Sequence, residues 1–259
     1  MAARGEITPK PAAAVFADTG SEPAHVYNWL DWLEKQLDYP LIRATKKGAP
    51  KLHVKALVVR TSKKTGNNYL KHMLPCYTLT PDGKQGHLQR QCTEDFKITV
   101  IQREAGILRR KAKADKVVMW IGISTDEAGR MKPSRVASIE HRWPLIDMEM
   151  SRQDCLDWAV KAGLPEPPRS ACIMCPYRSP EGWLRMKTSD PGMFRWAAAF
   201  ELRYQRAVEQ ITRLDGVPYL SDQRKPLDSI DFEGICAERA KKGVQMRQFN
   251  SECTGICGV

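Results

Sequence analysis

The stretch Ser170-Ala171-Cys172-Ile173-Met174-Cys175-Pro176-Tyr177 concentrates groups that can do chemistry. Two thiols separated by two residues can point into one small volume, and Pro176 stops the backbone from continuing as a regular helix or strand. Such a knuckle suits a metal ion, an iron–sulfur cluster or a dithiol redox pair. The spacing alone does not separate these. Six further cysteines are Cys76, Cys92, Cys155, Cys236, Cys253 and Cys257. Cys92 lies between Arg90 and Lys97, where positive charge favours a thiolate able to ligate metal or attack sulfur; an inert buried thiol is the alternative. Cys253 and Cys257 sit in a polar, glycine-containing tail that has little core to join. They are expected to be reactive, or else to dock back onto the knuckle as ligands.

Two strand ends supply a second kind of candidate. Ala12 to Ala17 reads as a short buried strand that stops at Asp18-Thr19-Gly20-Ser21 and runs into a helix. That is the geometry of a crevice at the carboxyl edge of a parallel sheet, where nucleotides bind. Asp18 either accepts from a ribose hydroxyl or amino group there or caps the helix. Val117 to Ile123 (VVMWIGI) is a continuous apolar run, as expected of a parallel strand buried on both faces. It leads into Ser124-Thr125-Asp126-Glu127-Ala128-Gly129-Arg130-Met131-Lys132. Arg130 and Lys132 are candidate phosphate contacts, with Asp126 and Glu127 to orient them. The competing expectation is an ordinary set of loop salt bridges.

The elements that must position these residues follow from periodicity. Val26, Trp29, Leu30, Leu33 and Leu37 make one apolar helix face, with Glu22 and Pro23 at its first turn. Leu52 to Arg60 (LHVKALVVR) is strand-like. Ser151 and Asp154 form a capping box ahead of a helix from Cys155 to Val160, which Gly163 stops. Trp183 to Leu214 reads as mostly helical, with Phe194, Ala197, Ala198, Leu202 and Ala207 as its buried stripe.

With 259 residues and 42% apolar composition the chain can bury a full core. No run approaches the roughly 18 consecutive apolar residues of a membrane span, and the first twenty residues do not read as a secretory signal. A cytoplasmic location with reduced thiols is therefore expected. The formal charge is +11, and from Tyr39 to Pro81 there is no acidic residue. Arg43, Lys46, Lys47, Lys51, Lys55, Arg60, Lys63, Lys64 and Lys71 all fall in that stretch. A field of this sign attracts nucleic acid or a phosphorylated nucleotide, or is simply a solvated basic surface. Only Tyr69 and Tyr77 interleave it, so sequence gives little support to a single-strand stacking platform.

In order along the chain, these segments resemble the phosphoadenosine phosphosulfate reductase family of the PP-loop, or adenine nucleotide alpha hydrolase-like, superfamily. Phe16-Ala17-Asp18-Thr19-Gly20 is similar to the family's second-strand segment near the adenine nucleotide. Gln91-Cys92-Thr93 with Phe96-Lys97-Ile98 resembles its cysteine-bearing stretch. Gly122 to Arg130 resembles its substrate segment, Trp143-Pro144-Leu145-Ile146 its Pro-Leu segment, and Cys172 to Cys175 its cluster-closing knuckle. The resemblance covers roughly residues 12 to 180. It implies a three-layer α/β fold with a mostly parallel sheet, N-terminally incomplete, over 1–180, with a basic excursion at about 39–87. Residues 181–259 would be a helical extension with a cysteine-bearing tail.

The resemblance also implies function. The chain would be a reductase or sulfurtransferase-like protein acting on an adenylylated sulfur substrate, with Asp18, Thr19, Gly20, Asp126, Glu127, Arg130 and Lys132 at the nucleotide. Cys253, in a Glu252-Cys253-Thr254-Gly255 tail, would be the nucleophile and Cys257 the resolving thiol. A thioredoxin-type reductant or a cysteine desulfurase would be the protein partner. Where the family's reducing branch has a Cys-Cys pair this chain has Gln91-Cys92, so a [4Fe–4S] cluster would need a ligand from elsewhere. Cys155 is the first choice, joining Cys92, Cys172 and Cys175, with zinc as the alternative metal. The superfamily's Ser-Gly-Gly-x-Asp-Ser phosphate loop does not occur, which implies either a start internal to a longer protein or a lost grip on pyrophosphate. The other expectations are an enzyme that modifies DNA or tRNA with sulfur, and a non-catalytic, cluster-stabilised binding module.

Overall fold

In the computed structural model, residues 1–49, 51–211, 214 and 216–242 are described. The chain is mixed α/β, with small parallel and antiparallel sheets. Strand β1 (Ala14–Asp18) leads into helix α1 (Ala24–Glu34) and returns as β2 (Leu41–Thr45), which pairs with β1 in parallel, Val15 opposite Ile42. The α1 face expected from periodicity is there: Val26 and Leu30 are buried. Pro23 occupies the N-cap, so Glu22 falls just outside the helix and is buried.

Helix α2 (Leu52–Ala56) corrects the strand expected from Leu52 onward; only Val59–Thr61 (β3) is extended, paired antiparallel with β4 (Asn68–Leu70). The branched residues Val54, Val58 and Val59 favour a strand locally. Tertiary packing wins because Leu52 and Ala56, one helical turn apart, are both fully buried, and the Leu52 amide donates to the Thr19 carbonyl at 2.8 Å. Next come β5 (Tyr77–Leu79), β6 (Gln85–His87) and a helical run: α3 (Gln91–Thr93), a π turn (Glu94–Ile98) and α4 (Thr99–Lys111).

Strand β7 (Val117–Trp120) pairs in parallel with β8 (Ile139–Arg142). It is shorter and wetter than the apolar run suggests: Val118 is 52% exposed. Segments β1 and β7, expected in one sheet, lie in separate parallel pairs, and no strand among the described residues joins them. Helix α4 packs against β1, β2 and β7.

After α5 (Pro144–Asp147), helix α6 (Arg152–Lys161) begins on the expected capping box. The Ser151 side chain accepts from the Asp154 amide at 3.1 Å, and Asp154 accepts from the Ser151 amide at 2.8 Å. Gly163 ends it at φ +67. Helices α7 (Pro180–Ser189) and α8 (Pro191–Ile211) follow, then β9 (Val217–Tyr219) and α9 (Phe232–Lys241). On α8 the buried stripe includes Phe194, Ala197 and Ala198 as expected. Leu202 faces outward, and Glu201 and Tyr204 face in.

The main core joins α2, β4 and the cysteine segments to α7, α8 and α9, with Trp183, Phe194 and Phe232 in mutual ring contact. Strand β9 adds to β5, making an antiparallel sheet in the order β6-β5-β9. No described helix is long and apolar enough to cross a membrane.

Candidate functional site

The loop after β1 is closed by its own side chains. Asp18 Oδ1 accepts from the Gly20 amide at 2.7 Å and from the Tyr27 hydroxyl at 2.9 Å, and Gly20 takes the positive φ of +62 that the turn needs. Burial and then the bond to Asp18 push the Tyr27 hydroxyl above its ordinary range. Asp18 thus holds the turn rather than capping α1, whose N-cap is Pro23 with no side-chain cap bond.

The knuckle docks on this loop. Thr19, 1% exposed, places Oγ1 3.2 Å from Cys172 Sγ and donates to Glu22 Oε1 at 3.2 Å. Cys172 Sγ donates to Glu22 Oε1 at 3.6 Å, and Ser170 Oγ donates to Glu22 Oε2 at 3.3 Å. The Ile173 amide donates to the Ser21 carbonyl at 2.8 Å, and Ser21 Oγ lies 2.9 Å from His53 Nδ1 on α2. Glu22 is the residue sequence reasoning undervalued. Its type suits a first-turn acid, and its place beside a Thr-Gly turn is the available signal for its burial.

On the other side of the knuckle, thiols gather. Cys76 is fully buried and Cys172 nearly so, with Cys92 and Cys175 packed against the same core. Backbone bonds set this up: the Cys92 amide donates to Met73 and the Leu88 amide to Cys76, both at 2.9 Å, and the Cys175 amide donates to Cys172 at 3.0 Å. Burial first, then the charges of Glu201, Cys92 and Cys175, push the Cys76 thiol well above its ordinary range. Burial and then Glu22 do the same to Cys172, with Lys97 opposing. No group of three or more His, Cys, Asp or Glu side chains among the described residues stands ready to hold a metal ion. What the fold provides is four cysteines on one apolar core, without a preformed ligand set among the described residues.

Cys155, expected as the fourth ligand, is elsewhere. It sits in the first turn of α6, and its thiol is pushed up by burial and then by Asp154 and Asp126, with Arg152 opposing; no cysteine is among these neighbours. The cysteine whose thiol lies within electrostatic reach of Cys92 and Cys175 is Cys76.

The segment after β7 forms a 3-10 turn, Thr125–Arg130. Glu127 pairs with Arg130 at 2.5 Å and with Arg152 at 3.4 Å, while Asp126 Oδ2 accepts from the Arg152 amide at 2.6 Å. The loop salt bridges expected as the alternative are therefore present. Lys132 is exposed and offers its carbonyl to His141 Nδ1 at 2.8 Å. Arg130 Nε, His141 Nε2 and Trp143 Nε1 are buried without a hydrogen-bond partner. Two of these are obligate donors, at the carboxyl end of a parallel strand pair. Cys253 and Cys257 lie outside the described residues. No protein-family model, curated protein or solved structure matches the chain.

Proposed function

We propose that this chain is a sulfur-handling protein of the phosphoadenosine phosphosulfate reductase type, with a cysteine-held iron–sulfur cluster or zinc packed against a nucleotide-binding strand end. The observation that carries this reading is the contact of Cys172 with Thr19 and Glu22, which joins the knuckle to the Asp18-Thr19-Gly20 turn across 150 residues of sequence. In this reading Cys76, Cys92, Cys172 and Cys175 hold the metal group. Four thiolates suit zinc and iron–sulfur centres alike, and the resemblance favours [4Fe–4S]. Bound there, such a group would supply a Lewis-acidic or redox-active metal held by cysteine sulfur, with a net negative charge from its four thiolates.

The protein's own residues do the rest. Glu22 fixes Cys172 and Ser170 against the turn, as partners behind a metal ligand do. Arg130 and Trp143 have donors left over for the anionic part of an adenylylated sulfate, where they would stabilise the departing nucleotide phosphate. The Cys253 thiolate attacks the sulfate sulfur and displaces the adenosine phosphate, leaving an S-sulfonate; Cys257 attacks the Cys253 sulfur, releasing sulfite and forming a disulfide that a thioredoxin-type dithiol reduces. At the level of fold, this reading takes the two separate parallel pairs as neighbouring parts of a three-layer α/β arrangement, supported by the packing of α4 on β1, β2 and β7.

The test is anaerobic purification with iron, sulfide and zinc analysis, followed by thiol-dependent sulfite release from adenylylated and phosphoadenylylated sulfate. Metal at about one centre per chain with sulfite release is expected. A metal-free chain inert to both substrates overturns the proposal.

A further inference from the structure

Strand order β6-β5-β9 brings three rings into one row. Tyr77 is directly opposite His87 on one neighbour and Tyr219 on the other, and residues opposed in an antiparallel ladder share a face. This face is the wet one: His87 and Gln85 are exposed, Val217 is 42% exposed, and Tyr77 and Tyr219 are half-buried. The opposite face turns Thr78 and Pro218 inward, both buried, where α8 packs against β9. Tyr177, two residues beyond Cys175, extends the row. Its ring lies 5.5 Å from that of His87 at 30°, and His87 meets Tyr77 edge-on at 4.9 Å. Arg90 stands over Tyr177 at 5.1 Å and Arg224 over Tyr77 at 5.4 Å, with Arg224 also donating to the Thr78 and Asp222 carbonyls. The residues come from sequence positions as far apart as 77 and 219, so no local run reveals them.

We propose that this sheet face binds single-stranded nucleic acid, stacking unpaired bases on the His87 row while Arg90 and Arg224 meet the backbone phosphates. Exposed rings in a row bind bases regardless of sequence, because each base has a π face, and flanking guanidinium groups add stacking and charge. A duplex keeps its bases stacked internally and cannot use such a row. The net charge of +11 suits a polyanion. Asp222, whose charge reaches Tyr77, is the acidic group that a phosphate has to avoid. The site does not depend on the cysteine reading, so either can fail alone.

The test is fluorescence anisotropy with the full chain and labelled oligomers of about 12 nucleotides, as single-stranded RNA, single-stranded DNA and duplex DNA, across a salt series. Tighter binding of a single strand than of duplex is expected; preference for RNA or DNA then identifies the polymer. His87→Ala should weaken single-strand binding about tenfold with an unchanged salt slope, and His87→Phe should restore it. Lys63→Ala with Lys64→Ala, in the β3–β4 turn, should change it by less than about twofold. Circular dichroism should show His87→Ala folded, as expected for an exposed side chain. Equal or tighter binding of duplex, or a His87→Ala variant that binds like the parent, overturns the proposal.

Discussion

Glu201 is a charged residue in the place of a core residue, 1% exposed on the inner face of α8. It is tolerated because its two oxygens accept from the amides of Leu220 and Leu227, at 2.7 and 2.8 Å, and so pin the segment after β9 to the helix. Burial, opposed by those two amides, raises its pKa from 4.5 to about 7. The folded state then binds a proton more tightly than the unfolded state, so this group favours folding fully below pH 4.5. Its contribution is lost as pH rises to about 7, by about 3 kcal/mol in all. Urea midpoints measured across that window should fall with pH more steeply in the parent than in Glu201→Gln, and parallel curves would refute the assignment. Glu22 is the second buried acid. Glu22→Ala leaves the Ser170 hydroxyl without its carboxylate acceptor and loosens Cys172, and should cost about 1–3 kcal/mol. Chemical denaturation checks this. Neither residue was legible as buried, because acids at helix ends and on helix faces ordinarily face water.

Among the elements, those with a local signal were readable and those made by distant pairing were not. The α6 capping box was visible in Ser151 and Asp154 because both partners lie within one turn. Ser151→Ala should lower stability by about 1 kcal/mol, measured by thermal or urea unfolding. Helix α2 departs from the expected strand because the choice between strand and helix there depends on Leu52 meeting Thr19, a contact 33 residues away in sequence that periodicity does not encode. Strand β9 owes its place to Gly216, at φ +114, where an added Cβ would lie 2.9 Å from the Leu79 carbonyl. Gly216→Ala is expected to cost about 1–3 kcal/mol and to detach β9 from β5. Faster amide exchange at Tyr77, Leu79 and Tyr219 than in the parent would report that loss. Unchanged protection would show that the edge tolerates the methyl.

For the molecule as a whole, the proposed function rests on the cysteine arrangement. In the proposed reading, Cys172 and Cys175 are candidates from their spacing and Cys92 from its basic neighbours. Cys76 is not legible this way, because its approach depends on β5 and β6 turning back so that the chain from Met73 to Cys76 bonds to Leu88 and Cys92. Cys155, expected as a ligand from its place after the Pro-Leu segment, lies on α6 with Asp154, Asp126 and Arg152 as its charged neighbours. The claim that Cys76 completes the centre is tested most directly by iron, sulfide and zinc content per chain in anaerobically purified parent, Cys76→Ser and Cys155→Ser. Cys76→Ser should lose most of its metal while remaining folded by circular dichroism, and Cys155→Ser should keep the parent's content. Full metal in Cys76→Ser, or loss confined to Cys155→Ser, would contradict the account.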